Sequence, residues 1–391
     1  MTFSQRLEPA FFATVQERVC ARAAEAGFDA VLTDDPEDVA YLTGFFHHPC
    51  ERPVAVWLDV GGRCALLLPE LEREHAEAQH AAAELVSYPE YPGVRPPFEA
   101  LSEVVGTRRR RVGHTTAITC QRLAAAAAAL PPADLAPTDV VTVARYVKTA
   151  EEIALHTEAA RITDLMLAAG VALVTDAVGA GELPSEAELA AHVTSAGTGA
   201  MYAEHTDVVV VSPLAGGLVY AGANSAYPHG LPSGYRLRPG DTFMLSLGCA
   251  VGGRFVEGER TFVLGEPTAQ QRRYHDVVRL AQEKGGEAIR PGAECRAANA
   301  ACLAVIRDAG LGGYLRHRQG HGIGLGMHEP PWLEDGDPTV LEPGMIVSNE
   351  PGVYVPGHAG YRISDSMLVT SGGARPLTSY PRGLDDCVIP A

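Results

Sequence analysis

Residues 246–262 read SLGCAVGGRFVEGERTF. An apolar run, a Gly252-Gly253 turn and a second run carrying Glu257 and Glu259 predict a β-hairpin with two glutamates on its second strand. The first strand carries Ser246, where a metal-binding hairpin would present a carboxylate. The rest of the chain has to say what the glutamates serve.

The flanking sequence is dense in reactive side chains. Helices are expected over 150–175 and 184–198, followed by a strand-like DVVVVSP; after the hairpin come helices over 268–290 and 294–310. Then follows HRQGHGIGLGMHEPPWLEDGDPTVLEPGMIVSNEPGVYVPGHAGYRISDSMLVT. His229, Glu257, Glu259, His321, His328 and Glu350 thus come from separate strands and loops. Taken singly, each reads as an exposed or turn residue. Clustered beside Gly and Pro, where backbone must pass close to something, they predict a pocket.

Upstream, FFATVQERVCARAAEAGFDAVLTDDPEDVAYLTGF gives an amphipathic helix ending at Gly27, a short strand and a helical turn capped by Asp34 or Asp35. PVAVWLDVGGRCALLLPELE gives a hairpin around Gly61-Gly62 and then a helix through Glu84. Alternating strands and helices predict an α/β layer. A Pro-rich exit, followed by Thr149 with Glu152 three residues on, reads as a capping box opening a new domain. The division is expected to be 1–147 and 148–391.

Composition sets outer bounds. At 391 residues the chain suits two domains. Its 31 Lys plus Arg against 48 Asp plus Glu give a net charge of −17, which argues against nucleic acid or an anionic membrane as partner. No apolar run is read as reaching the roughly 20 residues of a membrane span, and the opening residues lack a signal-peptide pattern. The eight cysteines show no C-x-x-C pair and are expected to be reduced and mostly buried. A cytoplasmic protein is expected.

GHGIGLGMHEPP, LEPGMIVSNEPGVY, GYRISDSMLVT, the PH of AYPHG and the LSLGC…ERTF hairpin together resemble the creatinase, prolidase and aminopeptidase P family. The likeness runs over about 148–391, and more weakly through YLTGF and ERPVAVW over the first half. It implies an α/β N-terminal creatinase-like domain followed by a pita-bread catalytic domain. The family's peptidases hold two metal ions on two Asp, one His and two Glu. Those positions fall here on Ser246, Glu257, His321, Glu350 and Ser364. Two anionic ligands become serine, a poor donor for a hard dication, so a dinuclear centre is not expected. If a metal is bound, Glu257, His321 and Glu350 would hold a single Mn, Co or Zn ion.

The creatinase branch, which works without metal, has L-E-R-T where this chain has G-E-R-T. That likeness implies catalytic roles for His229, Glu259 and Glu350, with His321, His328, Glu257, Arg52, Arg362 and Ser364 binding substrate and no cofactor. Arg362 would contact substrate or pair with Asp365. Arg52, reaching in from a partner subunit, would imply a homodimer. The expected function is metal-independent hydrolysis of a C–N bond in a small guanidino, amidine or amino-acid-derived molecule. An Xaa-Pro metallopeptidase and a catalytically silent binding module are the alternatives.

Overall fold

The computed structural model describes residues 3–210 and 215–391. They form two compact units, one of Arg6–Arg145 together with 209–210 and a larger one that takes in 3–5, Tyr146–Val208 and 215–391.

In the first unit Asp35 accepts from the amides of Glu37 and Asp38 to start the helix Pro36–Thr43. Strands β1 (Ala30–Thr33), β2 (Ala55–Asp59), β3 (Cys64–Pro69), β4 (Glu84–Tyr88), β5 (Arg111–His114) and β6 (Asp134–Pro137) make a mixed sheet in the order β4-β3-β2-β1-β5-β6. Trp57, Leu67 and Leu101 lie in its core. The helix expected through Glu84 is shorter, Arg73–Ala78, because Glu84 already begins β4 and pairs with Ala65.

The second unit opens on α1 (Ala150–Ala180). Thr149 accepts from the amide of Glu152, and the Glu152 carboxylate accepts from the amide of Thr149, so the capping box is complete. By length and composition α1 is apolar enough to cross a membrane, which corrects the expectation that no segment is. Its apolar residues have another partner. Leu155, Ile162, Met166 and Leu167 are buried, and the helix packs on the two strands of the hairpin. α2 (Glu186–Glu204) follows behind its own capping box at Ser185. The valine run after it is not a strand over 207–210, and its remainder lies outside the described residues. The next strand described is β7 (Ala215–Ala221).

The quoted hairpin is β8 (Thr242–Val251) and β9 (Arg254–Leu264), paired with Ser246 opposite Glu259 and Gly248 opposite Glu257. Glu257 and Glu259, two apart, share one face. Helices α3 (Ala269–Ala288) and α4 (Cys295–Asp308) precede β10 (Gly320–Gly322), β11 (Glu329–Leu333), β12 (Ile346–Asn349), β13 (Gly352–Val355), β14 (Ala359–Arg362) and β15 (Ser364–Thr370). The main sheet runs β11-β10-β12-β15-β9-β8-β7, so β15 joins the hairpin side to the histidine side. At that seam Arg260 is buried against Asp365 at 2.7 Å and donates to the Ser364 carbonyl. The arginine of the ERT sequence therefore fastens β9 to β15. All eight cysteines are free, five of them buried.

Candidate active site

A cavity of about 660 Å³ opens over the main sheet. His229, Ser246, Glu257, Glu259, His321, His328, Glu350 and Arg362 all reach it. Ser364 lies beneath, donating to Glu257 Oε1 at 2.8 Å. The expected cluster is thus brought together with one exception. Arg52 sits on the first unit, ion-paired with Glu90 and with Glu51 at 3.0 Å, and is not among the residues lining the cavity.

His321 is aimed by its backbone. Its amide donates to Ser348 Oγ at 2.9 Å, and its Nδ1–H donates to the Gly322 carbonyl at 3.0 Å, which turns Nε2 into the cavity. A Cβ on either neighbouring glycine would fall 2.2 Å from the Ser348 oxygen or 2.5 Å from the Pro330 oxygen, so the GHG sequence is what lets β10 approach β12 and β11. Nε2 then lies 3.2 Å from Glu350 Oε1 and 3.8 Å from Glu257 Oε2, with no hydrogen bond of good alignment. The His328 ring lies against that of His321, tilted by 35° with 3.9 Å between centroids. One donor atom each from Glu257, His321 and His328 lies within 4.8 Å of the others.

Two carboxylates and an imidazole in a buried cluster perturb one another. Burial, and then the charge of Glu350, push Glu257 up to about 8. Burial also opposes the charged forms of Glu350 and His321, but their mutual contact prevails, drawing Glu350 down to about 2 and His321 up to about 9. Burial, and then the neighbouring His321, pull His328 down to about 4, which leaves it neutral and able to donate a lone pair. Such a cluster either keeps a proton or exchanges it for a cation.

Beside it lies a second network. Arg362, 4% exposed, is ion-paired to both carboxylate oxygens of Glu259, donates to Ser246 Oγ at 2.9 Å and to the Tyr354 hydroxyl at 3.1 Å. Ser246 donates to Glu259, and Tyr354 donates to His317 Nε2 at 2.8 Å. Burial opposes the guanidinium's charge, and Glu259 more than restores it. Arg362 therefore pairs with Glu259 and not with Asp365, which Arg260 and Arg382 occupy. Glu329 of the HEPP sequence is structural too, held by buried Lys148 at 2.9 Å. The sequence reading missed Arg318, His317 and Tyr354. Arg318 lines the cavity with its guanidinium 4.1 Å over the Trp332 ring and 2.7 Å from Glu334. The only signal for it is its place three residues before His321.

As a metal site, the cluster fits one ion. Imidazole and carboxylate donors suit Mn, Co or Zn, and the stray Nε2 of buried His321 points at them. It does not fit a second. Ser246 and Ser364 are neutral, and their hydroxyls are already donated to Glu259 and Glu257.

An antiparallel hairpin, a central strand carrying polar residues and a histidine-bearing strand beyond it, with paired acids facing one cavity, define a pita-bread hydrolase. Metallopeptidase family M24 matches residues 154–371, and the Creatinase/Prolidase N-terminal domain matches residues 16–172. The chain belongs to metallopeptidase family M24 and is a hydrolase of that family, acting on a small-molecule substrate. It is 33% identical over 384 residues to a probable dipeptidase PepE of Mycobacterium tuberculosis, covering 97% of this chain and 98% of that one. It is 29% identical to an Xaa-Pro dipeptidase of Lactobacillus delbrueckii, covering 92% and 95%. The crystal structure of dipeptidase PepE from Mycobacterium ulcerans superposes with a TM-score of 0.85 at 28% identity, covering 99% of this chain and all of that one.

These relatives overturn two expectations. Metal-independent hydrolysis of a guanidino or amidine compound gives way to the peptidase alternative, and the expectation of no cofactor falls with it. The physical reason is one of weighting. Two serine replacements were read as the loss of the centre, yet Glu257, His321 and Glu350 still converge, with His328 beside them.

Proposed function

We propose that the chain is a metal-dependent dipeptidase of the Xaa-Pro type. The observation that carries this reading is the convergence of Glu257, His321 and His328 within 4.8 Å on the floor of a cavity large enough for a dipeptide. Glu257, His321, His328 and Glu350 would hold the cation. When bound, it supplies a polarised carbonyl and a water acidic enough to ionise near neutral pH.

The chain's own residues do the rest. Glu350 borders the cavity as a carboxylate kept ionised by His321, placed to accept a hydrogen bond from the attacking water and so to orient it. His229, exposed to the cavity, is placed to protonate the leaving nitrogen, the proline nitrogen in an Xaa-Pro substrate. Arg318 makes no side-chain hydrogen bond among the described residues beyond Glu334, so it has donors left for the substrate's terminal carboxylate. A homodimer belongs to the same reading, on the strength of the family.

The test is hydrolysis of a panel of Xaa-Pro dipeptides by the full chain before and after chelator, with Mn, Co and Zn added back. Activity lost to chelator and regained with one of the metals is the expected result. Turnover indifferent to chelator would overturn the reading.

A further inference from the structure

The cavity floor carries two charge-balanced clusters side by side. In one, Glu257 and Glu350 bring two negative charges to His321 and His328, which one dication neutralises. In the other, the single negative charge of Glu259 is already met by Arg362. The sheet sets the second cluster. Ser246 lies opposite Glu259 on β8 and β9, Ser364 lies opposite Glu259 on β9 and β15, and Arg362 arrives from β14 just before.

Every donor a second ion would need is already engaged. Glu259 Oε1 accepts from the guanidinium and Oε2 lies in ion-pair contact with it without an aligned hydrogen bond, the Ser246 hydroxyl is donated to Glu259, and the Ser364 hydroxyl is donated to Glu257. The guanidinium itself is fixed on its other side by Tyr354, which His317 holds in turn. A dication entering here would meet a fixed positive charge with no free anion to offset it, and would leave the cavity two charges in excess. A buried, forked Arg–carboxylate pair of this kind does not open cheaply.

Extending the metal-dependent reading above, we infer that the chain binds one divalent cation, on Glu257, His321, His328 and Glu350, and that the Arg362–Glu259 pair stands in the place of a second. Arg362 is thus a permanent cation of the site, and His328 is a ligand recruited where Ser364 gives no charge.

The experiment is Mn²⁺ titration of the full, chelator-stripped chain by isothermal calorimetry, with bound metal counted by mass spectrometry after equilibrium dialysis. Saturation at one ion per chain is expected, with the uncoupled six-line electron paramagnetic resonance signal of an isolated Mn²⁺. Two ions, or a spin-coupled pair, would overturn the inference, and so would no binding. His328→Ala is expected to keep one site and weaken it by roughly tenfold or more; unchanged affinity would remove His328 from the ligand set. In a combined Ser246→Asp, Ser364→Glu, Arg362→Met variant, which frees Glu259 and supplies two further carboxylates, a second ion should bind, and a count still at one would deny that the pair is what excludes it. The titration uses no substrate. One ion without dipeptide turnover would therefore retire the functional reading alone, and two ions with turnover would retire this inference alone.

Discussion

Arg318 and Arg362 show how two arginines at one cavity come to do different work. Arg362 is buried and held by Glu259, Ser246 and Tyr354, whereas Arg318 is partly exposed, braced on Trp332 and held at one nitrogen by Glu334. Arg318→Ala should therefore raise KM for free dipeptides about tenfold or more, with a smaller change in kcat. Dipeptide amides, which lack the carboxylate, should show little difference between the two proteins. Steady-state kinetics on both substrate forms decides it, and an equal loss on both would deny the contact. Glu257, His321 and Glu350 were legible in the sequence because they sit in contiguous motifs. The partner of Arg362 was not. Sequence proximity favoured Asp365, but Asp365 points back toward Arg260, and only the register of β9 against β15 puts Glu259 within reach.

At the scale of elements, α1 is held to the hairpin by more than apolar packing. His156 is fully buried and donates Nδ1–H to the Phe255 carbonyl of β9 at 2.8 Å. Burial, and then nearby Lys148 and Arg254, pull it down to about 3, with Glu329 acting weakly the other way. The unfolded chain takes up this proton near 6.5, and the native chain does not until about 3. The contribution is therefore complete above 6.5 and is lost as pH falls toward 3, at about 1.4 kcal/mol per pH unit. His275, pulled down to about 4, adds in the same direction. Urea unfolding at pH 7 and pH 5 should show a smaller loss of stability in His156→Gln than in the parent, and equal losses would refute the assignment. The start of α1 was legible because its capping box, Thr149 with Glu152, is local, whereas the box at Ser185 that opens α2 went unread. Over 207–210 the valine run is no strand, because β-propensity does not specify a pairing partner; β7 has one in β8.

For the whole molecule, cation binding and stability are linked. A ligand that binds only the native state stabilises it by about 2.7 kcal/mol at a hundred times its Kd, and for domains of roughly 150–250 residues each kcal/mol moves the midpoint by about 2–4 °C. Adding Mn²⁺ to stripped protein should raise Tm by several degrees, and Glu257→Gln should abolish the rise. A parent protein whose Tm ignores the metal would contradict a built site. The two-unit organisation and the α/β character were legible from alternating periodicity, since each layer is written locally. The site was legible only as a set of residue types, because its geometry depends on strands far apart in the chain.

That distance bears on how the site comes together. Among the described residues β15 is the only strand of the main sheet that joins the strand bearing Glu257 and Glu259 to the strand bearing His321 and the one that leads into Glu350. Until residues 364–370 take their place, the chain has two half-sheets with an unfilled seam, and neither half owns a complete set of donors. Late, long-range pairing of this sort is slow to form. The reactive centre is thus withheld from a partly folded chain until its two halves are joined.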